Sequence, residues 1–121
     1  MLINSIKEAL TGIVGKDRYQ DAPEILICYA YDAFFEEALP EAVLFPITTQ
    51  EVAGIVQVAG RHKIPITARG AGTSICGGPI SLEGGIVLCL SKMNRIIEVN
   101  TPDRYAIVQP GVINGDLQKA L

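Results

Sequence analysis

The sequence predicts an α/β (α+β) fold in which a small parallel βαβ sheet is flanked by helices and followed by an antiparallel hairpin. Three observations carry this. Residues 42–45 (AVLF) and 85–90 (GIVLCL) are short apolar runs bounded by proline or glycine, as expected of parallel strands buried on both faces. Between the first run and a further strand-like segment, Ile64, Ile66, Thr67 and Ala68, lies TTQEVAGIVQVAGRHK, in which Val52, Ile55, Val56 and Ala59 recur on one helical face. Residues 96–100 and 105–109 alternate around the turn TPDR, which reads as an antiparallel hairpin.

In chain order, MLINSIKEALTGIVG sets Leu2, Ile3, Ile6, Leu10 and Ile13 at helical spacing, with Gly12 and Gly15 as stop signals. Asn4, Lys7 and Glu8 interrupt the apolar run, so no membrane span is expected, and no cleavage pattern for secretion follows it. Residues 16–40 read as irregular: KDRYQDAPE as loop, and ILICYAYDAFFEEALP as an apolar piece of unassigned type. Glu36 and Glu37 are adjacent and point different ways on either a helix or a strand, so they read as solvated side chains and not as a catalytic pair. Thr48, three residues before Glu51, forms a capping box at the start of the central helix. Arg61, His62 and Lys63 gather at its end, where cations favour the helix dipole. His62 is the single histidine and is read as a dipole partner without chemistry. The last segment, VINGDLQKAL, starts another amphipathic helix.

The stretch IPITARGAGTSICGG, residues 64–78, is where function is expected. Ile64, Ile66, Thr67 and Ala68 suit a buried strand and run into Arg69, and glycines follow at 70, 72, 77 and 78 with the hydroxyls of Thr73 and Ser74 between them. Glycine permits φ > 0 and leaves the amides open, so such a loop turns several N–H groups toward one anion such as a phosphate or pyrophosphate. Arg69 either pairs with that anion or ties the loop to the protein. A P-loop is excluded because Pro79 and Ile80 follow Gly78 where a Lys and a hydroxyl residue would be needed, and GxGxxG fails because Ile75 holds the third glycine position. The plain alternative is a glycine-rich surface turn.

The run PEAVLFPITTQEVAGIVQVAGRHKIPITARGAGTSICGGPISLEGGIVLCLSKMNRIIEV, with AIVQPGV after it, resembles the N-terminal part of the FAD-linked oxidases of the vanillyl-alcohol oxidase type. Within them it is most like the glycolate oxidase flavoprotein subunit and the D-lactate dehydrogenases. The motifs AVLFP, RGAGTS with GG, MNRI and VQPGV stand in that order, and the likeness spans roughly residues 5–121. The resemblance implies a partial FAD-binding type-2 fold. Residues 1–40 would be a lead-in, 41–91 the parallel half with the glycine loop, and 95–121 the hairpin and helix that start the antiparallel second half. Tyr31 and Asp32 would take a structural place before the first strand.

Carried over residue by residue, the resemblance implies that Arg69, Gly70, Ala71, Gly72, Thr73 and Ser74 receive the FAD pyrophosphate, and that Gly77 and Gly78 let the flavin approach. Pro46 would lie beside the cofactor, and Pro110 with Gly111 near the flavin from the other half; the alternative for both prolines is that of a strand terminator. Relatives with covalent flavin carry a histidine where Thr73 stands, so FAD is expected to be non-covalent. The family's substrate cap, with the histidine and acidic residues that bind a hydroxy acid or a metal, has no counterpart in these residues, so no catalytic or metal residue is assigned. The implied activity is oxidation of a 2-hydroxy acid such as glycolate or D-lactate, inactive in this chain alone. Expected partners are the second half of the FAD domain with its cap, or a split-gene partner, and an electron-acceptor subunit. A non-catalytic module that binds a nucleotide or anion, or serves as an interaction partner, is the alternative.

Composition limits the rest. A chain of 121 residues is one domain in length, and its hydrophobic fraction of 49% points to a further partner surface or self-association. The net charge of −3 gives no basic footprint for nucleic acid. Cys28, Cys76 and Cys89 are odd in number and widely spaced, so they are read as buried thiols in a reducing cytoplasm.

Overall fold

In the computed structural model, residues 2–30, 39–70 and 84–121 are described. Helix α1 (Asn4–Val14) buries Ile6, Leu10 and Val14 and stops at Gly15, whose φ of 83° few other residues adopt. Gly12, expected as a stop, lies inside the helix, because one glycine costs only about 1 kcal/mol and the buried face outweighs it. The segment expected to be irregular is built: a 3₁₀ turn (Lys16–Arg18), strand β1 (Tyr19–Gln20) and helix α2 (Pro23–Cys28). Pro23 opens α2, where its missing N–H costs nothing.

Strand β2 (Ala42–Leu44), helix α3 (Thr49–Arg61), strand β3 (Ile66–Arg69) and strand β4 (Ile86–Cys89) form the expected parallel unit. The sheet order is β1-β2-β4-β3, with β4 parallel to both β2 and β3 and β1 antiparallel to β2. All residues of β2 and β4 are buried, whereas β3 is an edge strand on which only Arg69 is buried. The prediction of a buried strand there is thus corrected: one flank of β3 carries no neighbouring strand among the described residues, and Ala68 is left exposed.

The sheet is covered on both faces. Ala42, Leu44, Ile86 and Leu88 pack with Ile6, Leu10 and Val14 of α1 and with Ile55 and Ala59 of α3. Alternation sends Val43, Phe45, Val87 and Cys89 to the opposite face, where they meet Leu26 of α2 and Tyr29 just after it. Gly54 marks the α1–α3 crossing, since a Cβ there would lie 3.2 Å from the Ile13 side chain. Val56, expected on the buried face of α3, is 49% exposed; the face in contact is Val52, Ile55, Val58 and Ala59.

A hairpin of β5 (Ile96–Asn100) and β6 (Tyr105–Val108) follows, and helix α4 (Asn114–Ala120) ends the chain. All four β6 residues are exposed. Tyr31, Asp32, Glu36 and Glu37 lie outside the described residues.

Candidate functional site at the carboxyl edge of the sheet

Three parallel strands, β2, β4 and β3, end on one edge. The pairs Leu44↔Leu88 and Arg69↔Cys89 fix the register. Carried to the next level, that register sets Pro46, Leu90 and Gly70 in one row along the edge. Open α/β sheets receive ligands at this place, outside the carboxyl ends of their strands.

Each member of the row is held differently. Pro46 is fully buried, and a clamp fixes the residues on either side of it. Arg18 donates from Nη1 and Nη2 to the two carboxylate oxygens of Glu51, at 2.6 Å each, and from Nη1 to the Phe45 carbonyl at 3.2 Å. The Ile47 N–H donates to Glu51 Oε1 at 2.8 Å, and the Glu51 N–H donates to Thr48 Oγ1 at 3.1 Å. The capping box therefore forms with a shift: the carboxylate returns to the amide of Ile47, one residue before the cap, because it also serves Arg18. The Arg18 guanidinium holds the Glu51 carboxyl at about 2, with the Ile47 amide adding to it. The same partner raises Arg18 further.

Arg69, the last residue of β3, turns its side chain to the α2 face. It is 9% exposed, and its guanidinium carbon lies 5.2 Å from the centre of the Tyr29 ring. Tyr29 meets Phe45 edge to face at 5.7 Å, and Lys92 lies over Phe45 at 5.4 Å. Burial pushes the Tyr29 phenol up, the Cys89 thiol adds to this, and the Arg69 charge opposes it. Of the two roles open to Arg69 in the sequence, anchoring to the protein is the one visible in these contacts. Among the described residues, a Cβ on Gly70 would meet nothing within 4 Å.

Leu90 joins the two halves. Its N–H donates to the Arg69 carbonyl at 2.8 Å. Its own carbonyl would lie 1.9 Å from a Cβ on Gly111, so that position accepts only glycine as the chain now runs. The Gly111 N–H donates to the Met93 carbonyl at 2.8 Å. Gly111 is thereby brought against Leu90, the middle member of the row, while Pro110 is exposed.

Ala71, Gly72, Thr73, Ser74, Gly77, Gly78 and Cys76 lie outside the described residues. Cys89 is buried as expected, but Cys28 is exposed, since it closes α2 on its outer side. Among the described residues no His, Cys, Asp and Glu grouping could hold a metal, and no helix is long and apolar enough to cross a membrane. Arg18, Tyr29 and Glu51 were not picked out as site supports from sequence. Only Glu51 gave a signal, as the third residue after a capping threonine.

A parallel sheet whose strands end together beside Pro46 and Gly70 places the chain among the open α/β folds that receive ligands at their carboxyl edge. Residues 40–121 match the family described as FAD binding domain, and the chain belongs to that family. Its cofactor is FAD. The chain is 37% identical to the glycolate oxidase subunit GlcD of Bacillus subtilis over 122 aligned residues, covering 100% of this chain and 26% of that protein. It is 36% identical to a D-lactate dehydrogenase of Anaerostipes hadrus, over 70% of this chain and 18% of that one. The chain thus spans about a quarter or less of the length of these relatives. Among solved structures, p-cresol methylhydroxylase with substrate bound superposes at a TM-score of 0.87 with 28% identity, covering 97% of this chain and 24% of that one. Alkyldihydroxyacetonephosphate synthase superposes at 0.89 over 100% of this chain and 27% of its own, and at 20% identity it speaks for the fold alone. The fold is the partial FAD-binding type-2 fold expected from the sequence.

Proposed function

We propose that this chain is the FAD-binding portion of an oxidoreductase that oxidises a 2-hydroxy acid, glycolate or D-lactate, with non-covalent FAD as the hydride acceptor. The observation that carries the reading is the 37% identity to a glycolate oxidase subunit along the whole chain. The exposed glycine at the end of β3, on the carboxyl edge, supports it. The pyrophosphate is received by amides and hydroxyls of residues 70–74, with Gly77 and Gly78 admitting the flavin. Pro46 and Gly111 border the cofactor, and Pro110 lies at its outer side. Thr73 stands where relatives with covalent flavin carry a histidine and cannot form that bond, so the flavin is held non-covalently. When bound, FAD supplies the redox chemistry; these residues bind and orient it.

Residues 1–40 act as the lead-in, 41–91 as the parallel half and 95–121 as the opening of the second half. Turnover requires residues beyond these 121, on a longer chain or a partner, together with an electron acceptor. Exposed Tyr105, Ile107 and Val108 on β6 support this, as a surface for the remaining half of the cofactor domain. Without that half, copies of this chain self-associate through the same surface, which light scattering tests. The exposed Cys28 thiol is in keeping with a reducing cytoplasm.

The test is complementation. Mixed with the remaining half and cap of a glycolate oxidase subunit, the chain is expected to hold FAD whose visible absorbance bleaches on addition of glycolate or D-lactate. Bound flavin that no 2-hydroxy acid reduces would overturn the substrate class.

A further inference from the structure

We propose that Tyr29 is a positioning residue for the cofactor edge: its ring holds the Arg69 guanidinium and so fixes the point at which the chain leaves β3 for the glycine loop. For FAD affinity this rests on the reading above; the anchoring itself does not. Tyr29 follows the short helix α2, so it is supplied by the N-terminal segment and not by the parallel unit it serves.

The geometry has two parts. The guanidinium of Arg69 lies over the Tyr29 ring at 5.2 Å, within cation–π range and in a largely desolvated place, where such a contact is strongest. The ring is itself seated, since Phe45 meets it edge to face at 5.7 Å and Leu26, Val43 and Cys89 pack in the same cluster. Arg69 is thus fixed by its side chain on one face and by its carbonyl, which accepts from Leu90 N–H at 2.8 Å. Gly70 follows directly and is exposed. A shift at Arg69 moves the first amides that would face a pyrophosphate, and positioning errors of this kind cost binding even when every binding group is present.

The test separates the π face from simple burial. Tyr29→Leu keeps an apolar side chain on the cluster but removes the ring; Tyr29→Phe keeps the ring and loses the hydroxyl. Two readouts are taken on the full chain. The first is native trypsin digestion mapped by mass, because Arg69–Gly70 is itself a tryptic bond and is protected while Arg69 is held. In Tyr29→Leu, cutting after Arg69 is expected to speed about tenfold, the factor a cation–π contact of this kind supplies. Cuts after the exposed Arg61 and Lys63 should keep their wild-type rates. The second readout is FAD affinity by flavin fluorescence, expected to weaken by a similar factor in the Leu variant. The Phe variant should match wild type in both.

A Leu variant indistinguishable from wild type at Arg69–Gly70 overturns the proposal, as does equal acceleration of all tryptic cuts, which would mark only a general loss of stability. Should the Leu variant fail to fold, Tyr29→Met, also apolar and without a ring, takes its place under the same criteria. If wild type binds no FAD, the cofactor reading falls while the proteolysis still decides the role of Tyr29.

Discussion

Glu51→Gln is the sharpest probe of the clamp around Pro46. The pair it breaks is bidentate at 2.6 Å, with side chains 21% and 16% exposed. A carboxyl held at about 2 against the ordinary 4.5 corresponds to a ceiling of about 3.4 kcal/mol, at about 1.36 kcal/mol per pKa unit. Solvent screening at a partly covered site lowers this to about 2 kcal/mol. Gln keeps an acceptor for the Ile47 N–H, so the loss is that of the charge pair. For a chain of this length about 2 kcal/mol lowers Tm by about 6–10 °C. The pH dependence has a definite sign. Because the folded carboxyl titrates below its unfolded value, the stabilisation is complete above about pH 4.5 and is lost as pH falls toward about 2. Urea unfolding across pH 2.5–7, wild type against Glu51→Gln, should show the two curves about 2 kcal/mol apart at neutral pH and converging in acid. Curves that coincide at pH 7, or run parallel throughout, would refute the assignment.

Three further outcomes follow from the same structure. Gly85→Ala should cost about 2–3 kcal/mol by urea unfolding, because φ is 74° and the new Cβ would lie 2.3 Å from the Pro65 carbonyl. Gly111→Ala should cost about 2 kcal/mol, with hydrogen exchange rising first in β5 and β6, since the Leu90 carbonyl blocks the new methyl. Tyr19 is pushed up to about 12, by burial first and then by Asp21 and Glu41. Its stabilisation is therefore complete below about pH 10 and lost as pH rises from there toward 12. Tyr19→Phe should flatten that alkaline limb in a pH series of thermal unfolding.

The parallel unit was legible because its signals are long or repeated. The runs at 42–45 and 85–90 gave the central strands, and Thr48 with Glu51 gave the start of α3, where the cap forms as expected. The elements that were missed are too short to show a period. Strand β1 has two residues and α2 has six, so neither completes enough of a repeat to distinguish strand, helix and loop. Val56 illustrates a different limit: apolar spacing names a stripe, but which edge of it meets α1 is decided by packing. At the site, the row of Pro46, Leu90 and Gly70 follows from strand register, which depends on pairing between distant segments. Tyr29 had no sequence signal, since its partner Arg69 lies forty positions away and only the fold brings the two together.

The central claim is that the glycine-bearing carboxyl edge binds FAD, and titration of the purified chain with FAD tests it most directly. Flavin fluorescence should be quenched saturably by wild type, and the quenching should be lost in Gly72→Val, whose branched side chain would cover the amides proposed to receive the pyrophosphate. Quenching of equal affinity in both proteins would contradict the claim, because the flavin would then be held somewhere other than at this edge.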